Sequence, residues 1–518
     1  MFGRLLLRRS ACAAAGSCGT AGGLGSISTA TDAPLHFSGG KRVSVKSPKS
    51  FRVTEPATGQ LLCECPASSS QQVDEVVAQA KSAQPAWASW SGLQRGAVLL
   101  KAARILQENL DDLAVLEVRD SGKPIYEARW DLEGCIDVFN YYAGLAPTVV
   151  GEHIPLGNGN FAYTIREPLG VVGAIGAWNY PFQICTWKCA PALACGNSVV
   201  FKPSPLTPYS AVVFAEIFSE AGLPDGVLNI VQGEAETGEA LCSNPGVSKV
   251  TFTGSVPTGQ RIMAQCAQRG LRPVTLELGG KSPLIIFEDA HLQNAIKGAM
   301  LANYLSQGQV CNNGTRVYVH SSLYQQFLKG VVDRVKLLRI GDPLDAKTTM
   351  GAVISETHLQ RVLGFVDSAK KEGARIVYGG RRIKFEDPKL QNGFYIEPCV
   401  VTDVNESMKI MREEIFGPLM AVSPFDSEDE VLEKANSTPF GLSAGVFTRD
   451  LQRAHRVVSR LQAGTQFINH YNIVSPEIPF GGVKMSGFGR ELSRASLDHY
   501  TQIKSVYVEM GQELDSPI

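Results

Sequence analysis

GVVGAIGAWNYPFQICTWKCAPALACGNSVVFK, residues 170–202, is the stretch on which the fold turns. It opens on an apolar run at 170–176, passes through a helix-like stretch near 183–196, and closes on a second apolar run at 198–202. Runs this short and this apolar read as strands buried on both faces. Strand, helix, strand at this spacing implies a βαβ unit in a mostly parallel sheet, with a right-handed crossover. Outward from it the alternation continues, with strand-like runs at 226–231, 249–253 and 273–278. Helix-like stretches near 208–221, 236–243 and 257–269 separate them. A second series begins at 283–287 and goes on through 315–320, 375–378, 398–401 and 464–469. Its helices fall around 291–306, 321–337, 427–436 and 450–461. The fold class is therefore α/β, with two doubly wound parallel α/β layers joined near 279–282.

Upstream, Val73, Val76, Val77, Ala80 and Ala83 repeat at helical spacing. Leu99, Ala103, Leu106, Leu110 and Leu113 predict a second helix over 97–118. Asn392-Gly393 marks a tight turn. Residues 10–40 are low in complexity and read as unpacked.

Composition removes several classes of function. The 518 residues carry a formal net charge of -1, which leaves no basic footprint for nucleic acid. No apolar run approaches the roughly 18 residues that a membrane span needs. The 12 cysteines lack paired metal-ligand spacing, so no metal is expected. With 44% hydrophobic and 19% charged residues, the chain suits a large core and a surface partly covered by other subunits. Residues 1–31 carry Arg4, Arg8 and Arg9 and no acid, as a mitochondrial presequence does. The mitochondrial matrix is the expected location; a plain tail on a cytosolic enzyme is the alternative.

Three segments sit at strand or helix ends, where α/β proteins place ligands. They are Ala177-Trp178-Asn179-Tyr180-Pro181, Leu276-Glu277-Leu278-Gly279-Gly280-Lys281 and Gly308-Gln309-Val310-Cys311-Asn312-Asn313-Gly314. With Phe201-Lys202-Pro203-Ser204, Phe252-Thr253-Gly254-Ser255, Glu413-Glu414-Ile415-Phe416-Gly417-Pro418 and Pro479-Phe480-Gly481-Gly482, they resemble the aldehyde dehydrogenase superfamily from about residue 50 to 508. Within it the chain looks like family 9, the 4-trimethylaminobutyraldehyde and betaine-type aminoaldehyde dehydrogenases.

The resemblance implies NAD-dependent oxidation of an aldehyde to a carboxylic acid. Cys311 is its nucleophile, Asn179 its oxyanion donor together with the Cys311 backbone N–H, and Glu277 the base that activates water on the thioester. The other cysteines read as ordinary buried thiols. The implied cofactor residues are Lys202, Trp178, Gly254, Ser255, Gly259, Glu414 and Phe416. Physically, Gly254 allows a close turn and Ser255 opens a helix whose N–H groups can face a pyrophosphate. One departure concerns Pro205, which stands where many NAD-preferring relatives have a glutamate, so exclusion of NADP is open.

Tyr180, Trp187 and Phe480 are the implied aromatic cage for a cationic substrate end, with Asp131 as its acid. Leu305 and Gly134 depart from plant relatives, which have a tryptophan and a second aspartate there. The resemblance also implies a Rossmann-like NAD-binding domain over 42–149 and 168–279 and a catalytic domain over 280–482. An oligomerisation segment over 150–167 and 498–510 would build a homotetramer, after an N-terminal segment over 1–41. Two other readings stay open: a broad aliphatic aldehyde dehydrogenase, and a catalytically silent protein on the same fold.

Overall fold

The structure is a computed structural model and describes residues 35–511. The presequence reading of residues 1–31 lies outside the described residues.

Two large sheets organise the chain. In the first, five parallel strands lie in the order Val274–Leu278, Val247–Gly254, Val171–Ile175, Ser198–Lys202, Leu228–Ile230. Every residue of Val171–Ile175 and Ser198–Lys202 is buried, as strands covered by helices on both faces must be. The second sheet runs Arg375–Tyr378, Cys399–Thr402, Leu419–Phe425, Arg316–His320, Pro283–Ile286, Ser443–Phe447, Thr465–Ile468. It is parallel apart from the first pair.

The order of strands decides where a ligand can sit. In the first sheet the chain builds away from Val171–Ile175 on one side through Ser198–Lys202, then returns to build Val247–Gly254 on the other. A crevice opens where the direction of building reverses, beyond the carboxyl ends of the strands. Trp178 and Asn179 leave one of those ends and Gly254 the other. Gly279 and Gly280 then carry the chain from the last parallel strand of the first sheet to Pro283–Ile286, the reversal point of the second. The two crevices thus face one seam.

The first sheet is mostly parallel, with antiparallel strands added on both sides: His36–Ser38 pairs with Leu228–Ile230, and Gly487–Phe488 with Val274–Leu278. Two other expectations are corrected. Residues 35–40 are packed, because Leu35 and Phe37 have apolar side chains to bury against that edge. The helix expected over 97–118 is two, Gly92–Glu108 and Leu110–Ser121, parted at Asn109, whose φ of -111° and ψ of 15° leave helical geometry. The first of these starts on a reciprocal cap between Ser91 and Gln94, as does Ser70–Ala88 on Ser69 and Gln72. His153–Gly157 and Asn160–Pro168 form a hairpin that carries Thr501–Val508 as its third strand. Tyr507 and Ile503 on that strand are exposed. Among the described residues no helix is long and apolar enough to cross a membrane, and no cluster of His, Cys, Asp or Glu is placed to hold a metal.

Candidate active site

One continuous cleft follows the seam. Gly254, Ser255, Glu414 and Phe416 line one end, Asp131, Tyr180, Trp187 and Phe480 the other, and Cys311, Asn179 and Glu277 lie between. Twelve of the fourteen residues singled out in the sequence line this cleft, Trp178 being the twelfth; Lys202 and Gly259 do not.

Cys311 follows a backbone bent on itself. Ser306 and Gln307 are left-handed, at φ 49° and 57°, and Gly308 at 73°. A Cβ on Gly308 would stand 2.2 Å from the Gly417 carbonyl oxygen, so only glycine lets this turn meet the loop that carries Glu414 and Phe416. The Glu127 carboxylate accepts the Ser306 N–H at 3.0 and 3.1 Å, and the Asn179 Nδ2 donates to the Gln309 carbonyl at 2.9 Å. The second N–H of the Asn179 amide stays available for an oxyanion beside Cys311.

Charge around Cys311 is unfavourable to ionisation. Burial first, then the Glu414 and Glu277 carboxylates, push its thiol up, while the Asn312 and Cys311 backbone N–H groups act in the opposite sense. Glu277 is 7% exposed and its Oε2 has no hydrogen-bond partner. Burial and the neighbouring Glu491 raise its carboxyl well above the usual range, against the pull of Lys188 and Arg490. Thiol and carboxyl are therefore both biased toward their protonated forms, and each must lose its proton to act.

Sequence reasoning missed Lys188 and Glu491. Lys188 lies in the helix Pro181–Ala194, wholly buried, and its Nζ pairs with Glu491 and reaches Thr251 Oγ1 at 3.3 Å. A single lysine in an otherwise apolar helix is the signal that could have found it, since a buried charge persists only when paired. Glu491, 303 residues away, sends no such signal.

The other end of the cleft fits a dinucleotide. Helix Val256–Arg269 starts at Ser255 with no side-chain cap and no acid in its first turn, so its free N–H groups form an anion site. Phe416, itself left-handed at φ 61°, packs edge-on to Trp178 with ring centres 5.1 Å apart. His358 Nε2 bonds its carbonyl at 2.7 Å, and the Arg361 guanidinium donates to the Glu414 carbonyl at 2.8 Å. Both come from helix Glu356–Lys371, which the sequence reading did not resolve. The Glu414 carboxylate accepts the Gly280 N–H at 3.0 Å.

Two expected cofactor residues are held by neighbours of their own. Gly259 faces Leu278, where a Cβ would meet the leucine side chain at 2.9 Å, so it sets the approach of helix to strand. Lys202 is buried, and its Nζ already donates to the Gly233 and Pro203 carbonyls at 2.5 and 2.9 Å, leaving one of three donors for a ribose. At the substrate end, Trp187 and Phe480 pack in a T-shape with centres 5.3 Å apart. Asp131 is less free than expected: its Oδ2 lies 2.6 Å from the Lys123 ammonium.

The model of the aldehyde dehydrogenase family matches residues 43–506. Zebrafish (Danio rerio) 4-trimethylaminobutyraldehyde dehydrogenase A is 54% identical over 490 residues, which are 94% of this chain and 96% of that protein. The human 4-trimethylaminobutyraldehyde dehydrogenase is 54% identical over 479 residues, or 92% and 97%. Among solved structures, an aldehyde dehydrogenase of Bacillus cereus in complex with NAD+ superposes with a TM-score of 0.90 at 40% identity, covering 93% of this chain and 98% of that one. Betaine aldehyde dehydrogenase of Staphylococcus aureus with NAD+ gives 0.91 at 34%, covering 95% and 98%.

Proposed function

The chain belongs to the aldehyde dehydrogenase family, and from that premise we propose that it oxidises 4-trimethylaminobutyraldehyde or a related aminoaldehyde to its acid with NAD. The observation that carries this reading is the meeting of Cys311, Asn179 and Glu277 in one cleft whose far wall is the Trp187–Phe480 ring pair. Supporting the substrate is the 54% identity to relatives named for that aldehyde. Supporting the cofactor are the uncapped helix at Ser255 and the two NAD+-bound neighbours.

Cys311 gives its thiol proton to solvent water, and the thiolate Sγ attacks the aldehyde carbon, whose carbonyl electron pair moves to oxygen; that oxyanion receives N–H groups from Asn179 and the Cys311 backbone. Glu414, Phe416 and the first turn after Ser255 would hold the dinucleotide at its end of the cleft, and NAD, when bound, would supply the hydride acceptor for oxidising this adduct to the thioester. Glu277 takes a proton from water, the water adds to the thioester carbon, and Cys311 leaves as the acid is released. The exposed strand Thr501–Val508 beside its hairpin is the surface through which a homotetramer would assemble.

The direction of the two shifts sets a pH dependence. Cys311 and Glu277 both lie above their ordinary values, so both reactive forms grow as pH rises and are lost as it falls. Turnover should climb from about pH 6 to about pH 9, by up to roughly tenfold per unit. Initial rates across that range, with stability checked at each pH, test it; a plateau already reached at about pH 6 would contradict the burial argument.

Trp187→Leu tests the cage. Leucine keeps apolar area but loses the ring face that attracts a trimethylammonium, worth about 0.5–2 kcal/mol. The loss in kcat/KM should be roughly two- to thirtyfold greater for the cationic aldehyde than for a neutral isostere. Equal losses for the two substrates favour the broad aliphatic reading instead.

A further inference from the structure

Two of the four residues expected to receive a cationic substrate already hold one. Lys123 is 1% exposed, and it lies outside the cleft lining, behind the wall. Its Nζ stands 2.6 Å from Asp131 Oδ2, 3.4 Å from Glu117 Oε1 and 4.2 Å from the centre of the Tyr180 ring. It occupies the joint between helices Leu110–Ser121 and Ile125–Leu145. Gly122 before it is left-handed at φ 81°, and its carbonyl accepts the Ala352 N–H at 3.1 Å. Ile125 after it donates its N–H to the Pro343 carbonyl at 2.8 Å. The backbone is thus held on both sides of Lys123, and burial with Asp131 and Glu117 holds its ammonium.

Consider what the substrate end then presents. Asp131 borders the cleft, but an ammonium backs its carboxylate, so the wall carries a dipole where the sequence alone shows a full negative charge. A ring attracts cations through the negative potential of its faces, and Tyr180 has spent one face on Lys123. Trp187 and Phe480 have no such cation against them among the described residues. Glu117, the second acid on Lys123, is engaged by the Ser210 hydroxyl at 2.6 Å, and Glu127 by the Ser306 N–H, so neither substitutes for Asp131 at the wall.

We propose that Lys123 is a specificity-determining residue, whose buried ammonium offsets Asp131 and Tyr180 and so sets how strongly the pocket prefers a cationic over a neutral aldehyde. The inference rests on the cationic-aldehyde reading above. It also assigns the attraction for the quaternary group chiefly to the Trp187–Phe480 pair. An unbalanced aspartate would hold the charged acid product as firmly as the charged aldehyde, because both keep the ammonium. Lys123 limits that grip.

The test uses the full-length enzyme in four forms: wild type, Lys123→Met, Asp131→Asn and the double variant Lys123→Met/Asp131→Asn. Each is assayed with 4-trimethylaminobutyraldehyde and its neutral isostere 5,5-dimethylhexanal, and the ratio of the two kcat/KM values is read. Losses common to both substrates cancel. Removing one unit charge near the cation should change the ratio roughly three- to thirtyfold. Lys123→Met raises it, Asp131→Asn lowers it, and the double variant returns near wild type. If Lys123→Met fails to fold, Asp131→Asn against the charge-balanced double variant decides: its ratio must be the lower. Ratios in all folded variants within about twofold of wild type, or an Asp131→Asn ratio at or above that of the double variant, overturn the proposal. A wild-type ratio near one sinks the cationic-aldehyde reading by itself, while the ordering of the variants still judges Lys123.

Discussion

Cys311→Ala abolishes aldehyde oxidation and leaves cofactor binding intact. The side chain is half-buried at the midpoint of the cleft, and the residues that would hold the dinucleotide lie to one side of it. Losing one sulfur atom at a partly exposed site should alter stability by no more than about 1 kcal/mol. Without the nucleophile there is no thiohemiacetal, and the other cysteines cannot replace it: all ten described are buried except Cys311 and Cys63, and Cys63 does not border the cleft. The expected fall in kcat is at least about 10⁴-fold. NADH formation under saturating aldehyde, beside calorimetric titration with NAD, checks both halves. Turnover within about tenfold of wild type would mean that Cys311 is not the attacking group.

Glu277→Gln separates the two halves of the reaction. The change is isosteric, and it removes a carboxyl whose charged form burial and Glu491 already disfavour, so the fold loses little. Acylation does not require this group. Rapid mixing should therefore show a burst of NADH close to one equivalent per active site. A steady state slower by about 10²–10⁴-fold should follow, the usual worth of a positioned general base. The rise of turnover with pH should also flatten in this variant, because the proton that limits hydrolysis is gone. An undiminished steady state would place water activation elsewhere, with Glu491, which pairs with Lys188 and borders the cleft, a buried candidate.

The sequence reading reached different depths in different parts of the molecule. Strands with a β-branched apolar centre and clear punctuation are legible to the residue, as at Ser198–Lys202 and Arg375–Tyr378. Leu419–Phe425 and Ser443–Phe447 were missed although both lie inside the second sheet. Pro424 interrupts the first, and the second is largely serine, alanine and glycine, which have weak strand preference. Each pairs on one side with a strand nearby in the chain, Cys399–Thr402 or Thr465–Ile468, and on the other with a distant one, Arg316–His320 or Pro283–Ile286, so their identity as strands is a tertiary effect. The site shows the same division. Motifs named Cys311, Asn179 and Glu277, and the chain brings them together. What engages each side chain was invisible: Lys123 against Asp131 and Tyr180, Lys188 against Glu491, two carbonyls on Lys202. Those contacts depend on where helices dock, and no local pattern encodes that.

The two antiparallel strands that flank the first sheet come from opposite ends of the chain, His36–Ser38 and Gly487–Phe488. A ribosome delivers the first of these early and the second some 450 residues later. From the synthesis of Val274–Leu278 until Gly487–Phe488 arrives, the growing polypeptide holds that strand as an unprotected border, with free N–H and C=O groups ready to recruit a foreign strand. At about 5–20 residues per second, a wait of about ten seconds or more separates the making of that border from its closure. Biosynthesis of this protein therefore carries a period of aggregation risk that the finished enzyme does not reveal, and holding chaperones have their clearest target there. The same lateness ties completion of the sheet bearing Glu277 to arrival of the carboxyl-terminal segment, so a prematurely ended chain lacks its seal beside the very strand that carries the base.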